Sequence, residues 1–232
     1  MKHILLIIIT LVVTNITAIY AQTTGGPDTY GYIWRDSNDP NGPVYNWIDI
    51  KNIPFSNQVK LLGDDNTVGP FQVGFPFHYY WYEDSMFYVG SNGYISFMNY
   101  QLSSPFPVIP QALKLENYIA GMTADLNFGS TDTAVFNPAT CWYYTTPDND
   151  SLIVTYDSVP FWSPNNTWSF AGPCSFQIII TSVDSSITLQ YQLVNDSAYN
   201  LIVGYLSTGI ESLAGTIGLQ HLYDVYPQSG LA

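Results

Sequence analysis

The chain has 232 residues and a formal net charge of −13; 16% of its residues are aromatic and only 10% are charged. Once an N-terminal leader is removed, Arg35, Lys51, Lys60 and Lys114 are the remaining basic residues. That leaves no basic footprint for nucleic acid, and anionic lipid is disfavoured for the same reason. An acidic surface can attract divalent cations, but the plainer reading is that it keeps an exported protein soluble.

The leader is residues 1–21. Lys2 and His3 form a polar start, Ile4 to Val13 is apolar apart from Thr10, and Ala18 and Ala21 are small residues at cleavage points. The apolar run is shorter than the roughly 18 residues a membrane span needs. The expectation is a signal peptide cut after Ala21, with an exported domain over 22–232. A mature chain of this size suits one large domain. Nineteen tyrosines, twelve phenylalanines and six tryptophans supply its core, while Gly and Pro punctuate it throughout. This is a composition of strands and turns.

Taken in order, Tyr30–Trp34 and Val44–Ile50 read as strand pieces around the turn-rich loop Asp36–Gly42. Phe55–Leu62 leads to the acidic turn Gly63–Asn66. Val68–Phe77 reads as a kinked edge segment, because Gly69, Pro70 and Gly74 interrupt it. Met86–Phe97 is a hairpin around Asn92-Gly93, whose two residues tolerate positive φ. A proline-bearing loop covers 99–116, and Tyr118–Leu126 reads as a buried strand. Thr133–Phe136 and Cys141–Thr146 are expected to pair, followed by Leu152–Tyr156 and a tryptophan-rich loop over Pro160–Pro173. Ser175–Ser182 and Ile187–Gln192 form a second hairpin. Leu201–Leu206 and Thr216–Leu219 complete about a dozen strands, with no internal repeat of fixed period. The fold class is all-β, an antiparallel β-sandwich or jelly-roll-like single domain.

Several of these segments together resemble a family. They are Gly26–Tyr32, Asp36-Ser37, Gly42-Pro43, Tyr45–Ile50, Leu62–Asn66, Gly74–Phe77 and Val89–Phe97. Farther on come Ala120–Leu126 with Asp125, Phe176–Ile180, Ile187–Tyr191, Gly209–Glu211, Gly215 and Gly218–Gln220. In order and spacing this is similar to a β-rich module of secreted Bacteroidota proteins exported through the type IX system, itself distantly nidogen-like. The resemblance implies a fold and an extracellular location, but no reaction. It also implies one more strand beyond the final Tyr226–Ala232, so the sequence is expected to be part of a longer protein. Such modules accompany proteases, adhesive repeats and sorting domains.

An active site is not legible. His78 and His221 are the histidines left after leader removal, and neither stands in a GxSxG or HExxH context. Both read as packed or surface residues. Glu83, Glu116 and Glu211 are the only glutamates, and sequence spacing does not show whether two acids lie at glycosidase distance. Calcium is a candidate ligand for Asp36 and Asp39 and for Asp64 and Asp65, whose oxygens sit on turns. Pro40 breaks the EF-hand pattern, and the plainer reading is that these side chains cap turns. Tyr80, Trp81 and Tyr82, with Trp162 and Trp168, are candidates for a glycan platform, against the plainer reading that such aromatics are core. Cys141 and Cys174 form either a disulfide, which an oxidising compartment allows, or two buried thiols. The expected function is a noncatalytic extracellular adhesion or accessory module binding a protein or a glycan. The alternative is an accessory domain of a secreted hydrolase whose catalytic domain lies beyond Ala232.

Overall fold

The computed structural model describes residues 22–111, 116–129, 137–162, 173–195 and 206–232. The leader, Trp168, the Thr133–Phe136 strand and most of Leu201–Leu206 lie outside the described residues. No helix among the described residues is long and apolar enough to cross a membrane.

In chain order the strands are β1 (Thr24–Gly25), β2 (Trp34–Arg35), β3 (Asn57–Gln58), β4 (Thr67–Tyr79), β5 (Tyr82–Gly90), β6 (Tyr94–Ser96) and β7 (Tyr118–Ala124). They continue as β8 (Thr140–Thr145), β9 (Ser151–Val159), β10 (Cys174–Thr181), β11 (Ile187–Leu193), β12 (Leu206–Glu211) and β13 (Gly218–Tyr223). Three antiparallel sheets result. One is the β1-β2 ribbon. A second has the order β11-β10-β9-β8-β3, and the third β13-β12-β7-β6-β5-β4. The two large sheets face each other as a β-sandwich.

Their inner faces share one core, with Val73, Phe75, Phe77, Phe87, Ile95 and Ile119 from one sheet and Leu152, Val154, Phe176, Ile178 and Ile180 from the other. Tyrosine hydroxyls pin the sheets together. Tyr156 on β9 donates to the carbonyls of Gly90 (2.7 Å) and Tyr94 (2.6 Å) across the core. Tyr191 on β11 donates to Gly121 on β7 at 2.7 Å. Gly121 itself is necessary there, since a Cβ would stand 2.7 Å from Ile178.

Both outer faces are covered as well. The loop carrying Leu102, Phe106 and Ile109 packs on Tyr94, Tyr118 and Ala120 outside the six-stranded sheet. Ile48, Ile50 and Ile53 pack on Ile153 and Ile179 outside the five-stranded one. Here the strand expected over Val44–Ile50 is corrected. The segment has no strand partner and ends in a 3-10 turn, Ile50–Asn52. Its backbone is instead satisfied by side-chain amides: Asn46 by Gln190 and Ile48 by Gln177.

The expected kinks in β4 are present. Its pairing to β5 shifts register between Val68 and Phe71 and again between Gln72 and Phe77, and the strand lies at a sheet edge. An edge is where Pro70 and Pro76 cost no ladder bond. The expected pairing of Cys141–Thr146 with residues 133–136 gives way to pairing with β9 and β3.

Candidate functional site

The site is built on the ribbon that closes one open end of the sandwich. Asp28 organises it. One carboxylate oxygen accepts the backbone N–H groups of Tyr30, Gly31 and Tyr32 at 3.0, 2.7 and 2.9 Å, and the other accepts the Tyr80 hydroxyl at 3.1 Å. A carboxylate with three such donors fixes a tight turn. The turn sets Tyr30 and Tyr32 against the tip of the β4-β5 hairpin.

A run of rings follows. Trp81 meets Tyr30 edge-on at 4.9 Å, Tyr30 stacks on Tyr32 at 5.4 Å, and Tyr80 stands edge-on to Tyr32 at 4.9 Å. Beyond Tyr32, Trp34 meets the His221 ring at 4.6 Å. Gly25 leaves room for that indole, because a Cβ there would strike it. Burial pushes His221 below the usual imidazole value, against the opposing pull of the Asp36 carboxylate. The imidazole is therefore neutral at physiological pH.

Tyr32 and Trp34 open into a cleft of about 460 Å3. One bank is Gly31–Asp36. The other is the β11 edge with its preceding turn, and Ile210, Leu219 and His221 form the floor. The size and the mixture of apolar walls with few polar groups suit ligand recognition. Arg35 is the one Lys or Arg in the lining. Its guanidinium has no carboxylate partner among the described residues, where the ion pair is Lys51 with Asp157 at 2.6 Å.

The sequence-based candidates fare differently. Trp81 and Tyr82 are 57% and 47% exposed and remain available as a platform. Tyr80 is corrected: it is fully buried and offers no ring face to a ligand. Trp162 is half-buried, with its N–H on the Asp125 carbonyl at 2.7 Å, and shares no ring contact with the Tyr30–Trp81 group among the described residues.

Asp36 and Asp39 cap turns, accepting the N–H groups of Asn38 and Asn41 at 2.8 and 2.7 Å. Asp64 and Asp65 lie elsewhere, on the turn beside Asn92, whose side-chain amide donates to Asp65 at 2.7 Å. Asp125 faces them, and burial together with the charges of Asp65 and Asp64 pushes its carboxyl up to about 6. Among the described residues no group of three or more His, Cys, Asp or Glu side chains could hold a metal ion.

The disulfide reading is also corrected. Cys141 on β8 and Cys174 on β10 are buried thiols that are not bonded to each other. Strand β9 lies between them, which sets their Cα atoms about 9 to 10 Å apart across the sheet, beyond bridging range.

A carboxyl pair escaped the sequence reading. Glu116 and Glu211 are 2% and 0% exposed and hydrogen-bond to each other beneath the 99–111 loop. Tyr100 donates to Glu116 at 2.9 Å, and the Gln111 N–H donates to Glu211 at 3.0 Å. Closed to solvent and in direct contact, the pair lacks the gap for a substrate or water that glycoside hydrolysis needs.

A family model described as NIDO related matches residues 47–227. The chain belongs to the nidogen-related family. A search of the curated proteins and a search of the solved structures each found no significant match. The nidogen-related match covers both large sheets and the β11–β13 side of the cleft. The ribbon with Tyr30, Tyr32, Trp34 and Arg35 precedes it. The cleft of this nidogen-related sandwich is thus formed where a family scaffold meets an N-terminal segment outside the match.

Proposed function

We propose that the chain is a noncatalytic recognition module that works outside the cell. It serves as the adhesion or accessory part of a larger secreted or surface-attached protein, and its ligand is an extracellular protein or glycan. The observation that carries this reading is the open cleft with its run of rings reaching the exposed Trp81. Tryptophan and tyrosine faces beside a few polar groups suit both sugar stacking and protein contact. The nidogen-related scaffold supports an extracellular setting. Export from a Bacteroidota cell through the type IX system belongs to the same proposal and rests on the segments quoted above, from Gly26–Tyr32 to Gly218–Gln220. A low basic content and an apolar leader at 4–13 agree with it.

The test is a glycan array run in parallel with a panel of extracellular matrix and surface proteins, using the purified domain. Binding should appear on one of them and fall by about tenfold or more in Trp81→Ala, as expected when an exposed aromatic anchor is removed. Blank arrays, or binding indifferent to Trp81 and to the cleft residue Trp34, would reject the reading.

A further inference from the structure

In a strand, the N–H and C=O of one residue point to the same neighbour, and those of the next residue point to the other. Tyr191 on β11 spends both groups away from β10: its N–H donates to Leu231 (3.0 Å) and its carbonyl accepts from Gly230 (2.7 Å). The pairing of β11 with β10 is regular from Ile187 to Tyr191. Leu189 and Ile187 therefore point their N–H and C=O the same way as Tyr191. The carbonyl of Ser186, at the other parity, points to Thr181 on the β10 side, as this requires. These four groups of Leu189 and Ile187 face the cleft, and none has a partner among the described residues.

The opposite bank completes a slot. Ala232 lies between Tyr191 and Ser37: Ser37 donates its N–H to the Ala232 carbonyl at 2.9 Å, and the Ala232 N–H reaches the Ser37 hydroxyl at 3.2 Å. Residues 230–232 thus run antiparallel to β11 with main-chain contacts on both sides, at the mouth of the cleft. Past them the slot is vacant between Leu189 and Ile187 on one side and Tyr32–Asp36 on the other. Its floor is apolar, and Arg35 is its unpaired cation. An open strand edge over an apolar floor takes another strand, with main-chain bonds giving affinity and alternate side chains giving specificity.

We propose that the cleft is a strand-acceptor site. An extended segment of a partner protein, apolar at alternate positions and bearing one carboxylate, adds antiparallel to β11 at Leu189 and Ile187 and meets Arg35. This rests on the reading of the chain as a recognition module and names the chemistry of its ligand.

The probe is a fluorescent, end-capped peptide of alternating threonine and valine with a single glutamate. Saturable binding is expected below about 100 µM, with the exchange of the Ile187 and Leu189 amides slowed about tenfold or more. Leu189→Pro removes a cleft-facing donor without touching the β10 ladder and should weaken binding by about tenfold. Should that variant unfold, N-methylation of the peptide at alternate positions serves instead: one of the two registers abolishes binding and the other does not. Arg35→Gln should weaken the glutamate peptide and spare its glutamine counterpart.

No binding at about 1 mM, unprotected Leu189 and Ile187 amides, or indifference to N-methylation overturns the proposal. Self-association of the protein that the peptide competes with would assign the slot to a second copy, which also overturns it. Failure of the peptide beside a positive array sensitive to Trp81 rejects strand addition alone. Failure of both rejects the recognition reading as well.

Discussion

The carboxyl groups of Glu116 and Glu211 hydrogen-bond to each other in a place closed to solvent. Their facing oxygens, Oε2 of Glu116 and Oε1 of Glu211, have no other partner. Two carboxylates in such contact cannot both ionise, so the pair holds one proton. Burial is the first cause, and the neighbouring Glu116 the second, of the rise of Glu211 from 4.5 to about 9. Tyr118, Tyr100 and Tyr94, the titratable groups packed around the pair, are likewise raised by burial.

A pH dependence follows. The folded chain keeps this proton in a range where the unfolded chain has lost it. The stabilisation is therefore complete below 4.5, shrinks above that value and is lost as pH rises through about 9. Urea midpoints should fall between about pH 5 and about pH 9. Glu211→Gln supplies a permanent donor to Glu116 and should flatten that slope. A variant as pH-dependent as the parent would contradict the shared proton.

Removing the Tyr156 hydroxyl should loosen the join between sheets. It serves the buried carbonyls of Gly90 and Tyr94, which flank the Asn92-Gly93 turn. Tyr156→Phe is expected to cost about 2 kcal/mol by urea denaturation, since buried acceptors lose their donor while the ring packing stays. A change within about 0.5 kcal/mol would show that the two carbonyls do not depend on it.

Gly93 has φ +85°, and a Cβ there would collide with the carbonyl of Met122. Gly93→Ala combines a left-handed backbone with a clash against main chain in a central sheet, so a loss of about 3 kcal/mol or more is expected. Thermal unfolding of the variant measures it.

The thiols of Cys141 and Cys174 should be inert. Burial pushes both above their usual value, Cys174 to about 12. A thiol reagent should leave the native protein unmodified and find both thiols once it is unfolded. Reducing agent should leave the melting temperature unchanged. A reductant-sensitive melt would restore the disulfide.

The β5-β6 and β10-β11 hairpins were legible because local chemistry decides them. Asn92-Gly93 takes the left-handed turn conformation, and Ile187–Gln192 alternates clearly. The meaning of Asn92 was not legible. Its side chain reaches Asp65, Leu102 and Leu126, joining segments far apart in sequence. Val44–Ile50 looked like a strand because its apolar residues do become buried, but they pack across a sheet and not within one. The cleft joins residues 31–36 to 184–191 and 219–221, and the carboxyl pair joins Glu116 to Glu211. Spacing in the chain cannot reveal pairings that depend on sheet order. His221 read as a lone histidine because its partner, Trp34, comes from the other end of the chain.

The central claim is that recognition takes place at the cleft beside the ribbon. The direct measurement is hydrogen exchange across the protein with and without a ligand taken from the arrays. The account predicts slowed exchange confined to residues 31–36, 184–191 and 219–221 together with Trp81. Protection centred on Glu116 and Glu211, or on Asp64, Asp65 and Asp125, with the cleft unchanged, would contradict it.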